Sequence, residues 1–123
     1  MILLMELLGN HDPVFKGMSV SGTPMMVVVN NHRAFKKNNI SGSPMYTVSG
    51  DRLFKGAAIS GSPLATLVGD RVFLGQTVSG EPIATIGSDR VFKGQSPTGS
   101  PIATCPGKSK IALFIAAYHV LKG

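Results

Sequence analysis

Most of the chain reads as short runs of β-branched and aromatic residues fenced by glycine, proline, serine or aspartate. Two such runs recur, R-V-F-K and P-I-A-T-I, and each has the composition and the flanking turn residues of a short β-strand. Their recurrence predicts ten strands. The phenylalanines set the period: Phe15, Phe35, Phe54, Phe73 and Phe92 lie 20, 19, 19 and 19 residues apart. The prolines of the [ST]-G-x-P element, Pro24, Pro44, Pro63, Pro82 and Pro101, repeat the same spacings, so two independent markers define one internal repeat.

Five units follow, covering residues 12–31, 32–50, 51–69, 70–88 and 89–107, with one inserted residue in the first. The consensus is D-R-V-F-K-G-x-x-V-S-G-x-P-I-A-T plus two or three turn residues. The first two units depart from it at Met26, Val28 and Val29 and at His32, Ala34 and Lys37. The unit junctions, such as S-G-D-R at 49–52 and V-G-D-R at 68–71, have the Gly-Asp chemistry of a tight hairpin turn with positive φ. The S-G-x-P element is a looser turn whose proline precedes a strand, where a missing N–H is tolerated.

Alternation along a strand puts Arg90, Phe92 and Gly94 on one side and Val91 and Lys93 on the other. Both faces are partly apolar, so each hairpin must be covered on both sides. Burying one Phe contributes about 1.5 to 3 kcal/mol, and the five equivalent rings are the expected core. A mainly β fold follows, with five tandem hairpins closed around a pseudo-fivefold axis. A β-solenoid is the alternative; closure is favoured because it removes exposed strand edges.

The stretch SGSPLATLVGDRVFLGQTVSGEPIATIGSDRVFKGQ resembles bacterial β-flower proteins, small chains of tandem hairpins around an axis. The resemblance spans residues 12–107 and rests on the turn-strand rhythm. It implies the hairpin ring and carries no activity, cofactor or catalytic residue.

Residues 108–123 change character. I-A-L-F-I-A-A-Y-H-V-L has good helix formers and no Gly or Pro until its end, predicting one helix of about three turns. Ile111, Phe114, Ile115, Tyr118 and Leu121 form one apolar face, but Leu113, Ala116, Ala117 and Val120 make the other face apolar too. A helix apolar all round is buried. Three destinations are open: a plug in one end of the ring, contact with the apolar segment 1–11, or pairing with a second copy. For the last, Ile111, Leu113, Phe114, Ile115, Tyr118 and Leu121 are the candidate interface of a homo-oligomer. All three parts form one domain.

Composition narrows function only modestly. Twelve Lys and Arg against six Asp and Glu give a net charge of +6, enough to attract polyanions. The recurrent Arg33, Arg52, Arg71 and Arg90, with Lys16, Lys36, Lys55 and Lys93, form a candidate basic ring for anions. The blander expectation is that each Arg pairs with Asp51, Asp70 or Asp89 at the turns while the Lys stay solvated. Cys105 is the one cysteine, so no internal disulfide forms and a cytoplasmic location is the default; it stands where other units carry Leu67 or Ile86 and reads as a core residue. MILLMELLGN has no basic leader and carries Glu6, so it reads as part of the fold. No stretch reaches the roughly eighteen apolar residues of a spanning helix, and integral membrane association is not expected.

His11, His32 and His119 are scattered and show no metal-ligand spacing. The glycines lack the strand-to-helix setting of a phosphate-binding loop. Neither a cofactor nor an enzyme is expected. The sequence thus points to a non-enzymatic binding or interaction module that self-associates through its terminal helix, with an unidentified protein or a polyanion such as nucleic acid, glycan or acidic lipid as partner. The alternative is a polyanion binder that works through the Arg and Lys ring.

Overall fold

The protein is described by a computed structural model over residues 11–37, 39–40 and 42–123; the apolar segment 1–10 lies outside the described residues. Ten strands follow one another: β1 His11–Lys16, β2 Met26–Val29, β3 Arg33–Lys36, β4 Tyr46–Ser49, β5 Arg52–Lys55, β6 Ala65–Val68, β7 Arg71–Leu74, β8 Ala84–Gly87, β9 Arg90–Lys93 and β10 Ala103–Thr104. One helix, α1, spans Lys110–Lys122. All neighbours are antiparallel, and β10 returns to β1, so the sheet is a closed barrel.

Gly-Asp chemistry makes the tight turns as expected. Ser49 pairs with Arg52 across Gly50 and Asp51, and Val68 with Arg71 across Gly69 and Asp70. Gly50 and Gly69 have φ of 64° and 60°, a region open to glycine at little cost. The inserted residue of the first unit falls in such a turn. There Val29 pairs with Arg33, leaving three turn residues, of which Asn30 and Asn31 have φ of 55° and 52°.

Each hairpin therefore straddles two repeat units, and the fifth is assembled from both ends of the array. Phe15 pairs with Thr104 and Lys16 with Ala103, the same pairings that join Phe54 to Thr47 and Lys55 to Tyr46. The Gly17 amide donates to the Ile102 carbonyl at 2.9 Å, and the Thr104 hydroxyl donates to the Gly17 carbonyl at 2.7 Å. Thr47, Thr66 and Thr85 make the same bond to Gly56, Gly75 and Gly94 at 2.7 to 2.8 Å. The closing hairpin thus keeps the mouth-end pairings and bonds of a repeat, with two register pairs where an intact hairpin has four.

The phenylalanines are not the centre of the core. Val14, Leu53, Val72 and Val91, each one residue before a Phe, are fully buried, as is Ala34. They share the interior with Met26, Tyr46, Ala65, Ala84 and Ala103 and, two residues on from these, Val28, Val48, Leu67, Ile86 and Cys105. The Phe side chains alternate to the outer wall, where the linking loops cover them: Phe54 and Phe73 are buried and the other three half-buried. Pro97, for example, lies close to Gly87 and the Phe92 ring.

The interior belongs to α1, whose residues Ala112, Leu113, Phe114, Ile115, Ala116 and Ala117 are all fully buried. Ser109 caps its start, accepting the Ala112 amide at 3.0 Å and donating to Asn31 Oδ1 at 2.8 Å. The helix runs closest to β1 and to β8, β9 and β10. Wall residues match that offset: Ala84 and Ala103 are small where the helix is near, while Tyr46 fills the side it leaves open. Of the three destinations considered for the helix, the structure shows the plug, while contact with the apolar segment falls on residues 1–10, outside the described residues. Leu113, Phe114 and Ile115 are enclosed by their own barrel and cannot also face a second copy; Ile111, Tyr118 and Leu121 are half-buried at the helix ends.

Candidate anion-binding mouth

The register splits the expected basic ring in two. Arg52 pairs with Ser49 beside the tight turn, whereas Lys55 pairs with Tyr46 at the other end of the hairpin. Three residues span about 10 Å in a strand, and an odd offset also reverses the face. Arg33, Arg52, Arg71 and Arg90 therefore stand outward at the turn end, alternating with aspartates. Lys16, Lys36, Lys55 and Lys93 stand at the opposite end with the inward parity, around the mouth from which the helix C-terminus emerges.

The turn end mixes charges: Arg33, Arg52, Arg71, Arg90, Lys108 and Lys110 lie among Asp12, Asp51, Asp70 and Asp89. Lys110 meets Asp70 at 3.0 Å, and Arg90 approaches Asp89 at 3.8 Å with both side chains partly exposed. The expected Arg–Asp pairing occurs for this one arginine among the described residues; Arg33, Arg52 and Arg71 project into solvent. Asp12, on β1 beside the cut turn, is buried against Gly107, and its Oδ2 has no hydrogen-bond partner among the described residues. Desolvation raises its pKa, with His11 pulling the other way.

The mouth is different. Besides the four strand lysines it holds Lys37, directly after β3, and Lys122, the last helical residue. All six are exposed, and none forms an ion pair among the described residues. Across the linking loops at this end, 17–25, 37–45, 56–64, 75–83 and 94–102, Glu81 is the one acidic residue. The helix C-terminus accounts for part of the charge, since its carbonyl end carries roughly half a negative charge that nearby cations stabilise. Six cations exceed that need.

Gaps between the helix end and the wall each contain lysine. One of about 270 Å³ lies among Pro82, Ile83, Lys93, Leu121 and Lys122. Another of about 250 Å³ lies among Tyr46, Lys55, Leu64, Tyr118 and Lys122. A larger cleft of about 590 Å³ opens between the first two loops, lined by half-buried Phe15, Met25 and Met45 and by exposed Lys16, Lys36 and Lys37.

His119 reaches the inner end of this cleft. Its Nδ1 lies 2.8 Å from the Tyr46 hydroxyl, and the Tyr46 ring meets those of Tyr118 and His119 edge-on at 6.0 and 5.7 Å. Burial lowers the His119 pKa from the usual 6.5, so the ring is neutral at pH 7, and its Nδ1 shares a hydrogen bond with the Tyr46 hydroxyl. Desolvation, then the neighbouring Tyr118, raise the Tyr46 pKa. Because folding lowers the His119 pKa, the unfolded chain holds that proton more tightly. The resulting stability is complete above about pH 6.5 and declines as pH falls from there through the folded pKa. Urea midpoints between pH 8 and 5 are expected to fall less for His119→Gln than for the parent chain.

The remaining chemistry is sparse. His32 Nδ1 lies 2.8 Å from the Val48 carbonyl oxygen at the turn end, far from His119. Cys105 is fully buried and desolvation raises its thiol pKa, which agrees with a core role. No cluster of three metal-ligating side chains exists among the described residues, and no described helix is long and apolar enough to cross a membrane. Sequence reading missed Lys37, Lys122, His119, Met25 and Met45 as parts of one mouth. Lys37 was detectable, because it replaces the repeat glycine; the others needed the helix placed inside the barrel. No family model matches the chain, and no curated protein or solved structure matches it either.

Proposed function

We propose that the protein is a non-enzymatic binding module that holds anionic ligands at the lysine mouth of its barrel. The observation that carries this reading is the segregation of charge: six exposed lysines without ion pairs surround one opening, while the arginines share the other end with aspartates. Ammonium groups on flexible stems suit anions of varied shape, because each is a point charge with three rotatable donors. A repeated cationic site also favours ligands with several negative groups. The helix-mediated self-association expected from sequence has its central residues enclosed, which leaves ligand binding as the better-supported reading.

Titrating heparin and a labelled DNA duplex, used as polyanionic probes, across salt concentration tests this. The log-log slope counts displaced counterions, about 0.9 per neutralised phosphate on a duplex. Changing Lys36→Gln, Lys55→Gln and Lys93→Gln together is expected to lower the duplex slope by about 2 to 3 and to weaken heparin binding at least tenfold. Arg52→Ser, Arg71→Ser and Arg90→Ser together are expected to change both far less. Equal losses in the two triple variants would contradict a localised mouth, and no binding at low salt would remove the proposal.

A further inference from the structure

We infer that the cleft between the first two loops binds one amphipathic small anion, a medium-chain carboxylate or alkyl phosphate, with its charged head among Lys16, Lys36 and Lys37 and its chain over Phe15, Met25 and Met45. This deepens the reading of the mouth as an anion site and rests on it. The cleft lies where the repeat breaks its own rules. Met25 and Met45 stand where later units carry Leu64, Ile83 and Ile102, and an unbranched thioether adapts to a ligand's shape. Lys37 stands where the other units carry Gly17, Gly56, Gly75 and Gly94.

That lysine has φ of 54°, a left-handed conformation that costs an L-residue about 1 to 2 kcal/mol. The four glycines adopt the same conformation with φ of 73° to 87°. The backbone role is unchanged, since the Lys37 amide donates to the Met25 carbonyl at 3.1 Å as Gly56 donates to Met45 at 2.7 Å. The strained side chain therefore adds nothing that the fold requires. What it adds is a third ammonium group in the cleft lining. Positive φ also occurs at Ser88 and Lys108, 59° and 61°; Lys37 is the strained residue whose side chain lines the cleft.

Size and wall chemistry set the ligand class. About 590 Å³ lies within the range of small-molecule sites, and is about twice the volume of the neighbouring gaps at this mouth. Ser19 and Ser21 bond to each other at 3.0 Å, which leaves spare hydroxyl capacity on the first loop for a headgroup oxygen. A lining that joins three exposed lysines to half-buried Phe15, Met25 and Met45 matches a ligand with a charged head and an apolar chain. An inorganic anion leaves the apolar lining wet, and an uncharged chain leaves the lysines unused.

Calorimetric titration of the full chain with dodecanoate, dodecyl phosphate, 1-dodecanol and inorganic phosphate, each below its aggregation concentration, is the test, with heparin titrated in parallel. Dodecanoate or dodecyl phosphate is expected to bind at one site, at least tenfold tighter than the alcohol or phosphate alone. Lys37→Gly is expected to raise the melting temperature while weakening the tailed anion at least fivefold; Met25→Gln, half-buried in the lining, is expected to weaken it without affecting heparin. Equal binding of the alcohol, or tailed-anion affinity unmoved by both substitutions, overturns the inference. Heparin binding without tailed-anion binding overturns the cleft alone, and loss of both overturns the mouth as well.

Discussion

Replacing Phe114 with alanine is expected to destabilise the protein by about 3 to 5 kcal/mol, the usual cost of emptying a fully buried aromatic site. Phe114 is among the largest fully buried side chains, in the middle of the helix that fills the barrel. The wall can collapse little around the void, because closure fixes the barrel circumference. Domains of this size have about 5 to 15 kcal/mol in total, so the variant sits near the edge of folding at 37 °C. Phe92→Ala, on the outer wall and half-buried, removes a ring of equal size and is expected to cost clearly less. Urea denaturation of the two variants checks the assignment of faces, and equal losses would show it to be wrong.

Val14→Asp is expected to leave the chain unfolded at 25 °C. Val14 is fully buried on β1, faces the interior and pairs with Met26 across one seam of the barrel. A carboxylate there has no cation within the apolar interior, and burying an unpaired charge costs several kcal/mol. It also strikes the strand on which closure depends, since β1 joins β10 through two register pairs. Freed edges of β2 and β10 would then be open to pairing with other chains, so aggregation is the expected companion of unfolding. Pro13→Ser, one residue away on the outward side, is expected to leave a folded, soluble protein by circular dichroism and light scattering. A soluble, folded Val14→Asp would mean that β1 is dispensable for closure.

The strands, hairpins and terminal helix were legible because repeated turn chemistry fixes them locally. Gly50-Asp51 and Gly69-Asp70 announce turns whatever lies around them. Which apolar face is inside was harder, because Val72 and Phe73 are both suited to burial and alternation alone does not rank them. The deciding quantity was volume. Ala65, Ala84 and Ala103 on the inward face leave room for a helix, and inward phenylalanines would not. That signal was present in the P-I-A-T motif and became readable only once the helix was placed inside.

The site was legible in parts. Each basic position was visible in the repeat, yet grouping Arg52 with Lys55 ignored the odd spacing that sends them to opposite faces and opposite ends. Lys122, His119 and Tyr46 are separated along the chain and meet at the mouth only because the helix threads the barrel. The fifth hairpin follows from the repeat phase: the array opens with an R-V-F-K-type strand at 13–16 and closes with a P-I-A-T strand at 101–104, two halves of one hairpin.

The central claim is that the two ends of the repeat array close the barrel around the chain's own helix. Nuclear Overhauser contacts between Phe15 and Thr104, recorded together with those of the Phe114 ring, test it most directly. The account predicts cross-strand contacts between Phe15 and Thr104 within one molecule, undiminished when labelled protein is diluted with unlabelled, and contacts from Phe114 to inward-facing methyl groups of the wall. Absence of the Phe15–Thr104 contacts, or their appearance only between molecules, would contradict it.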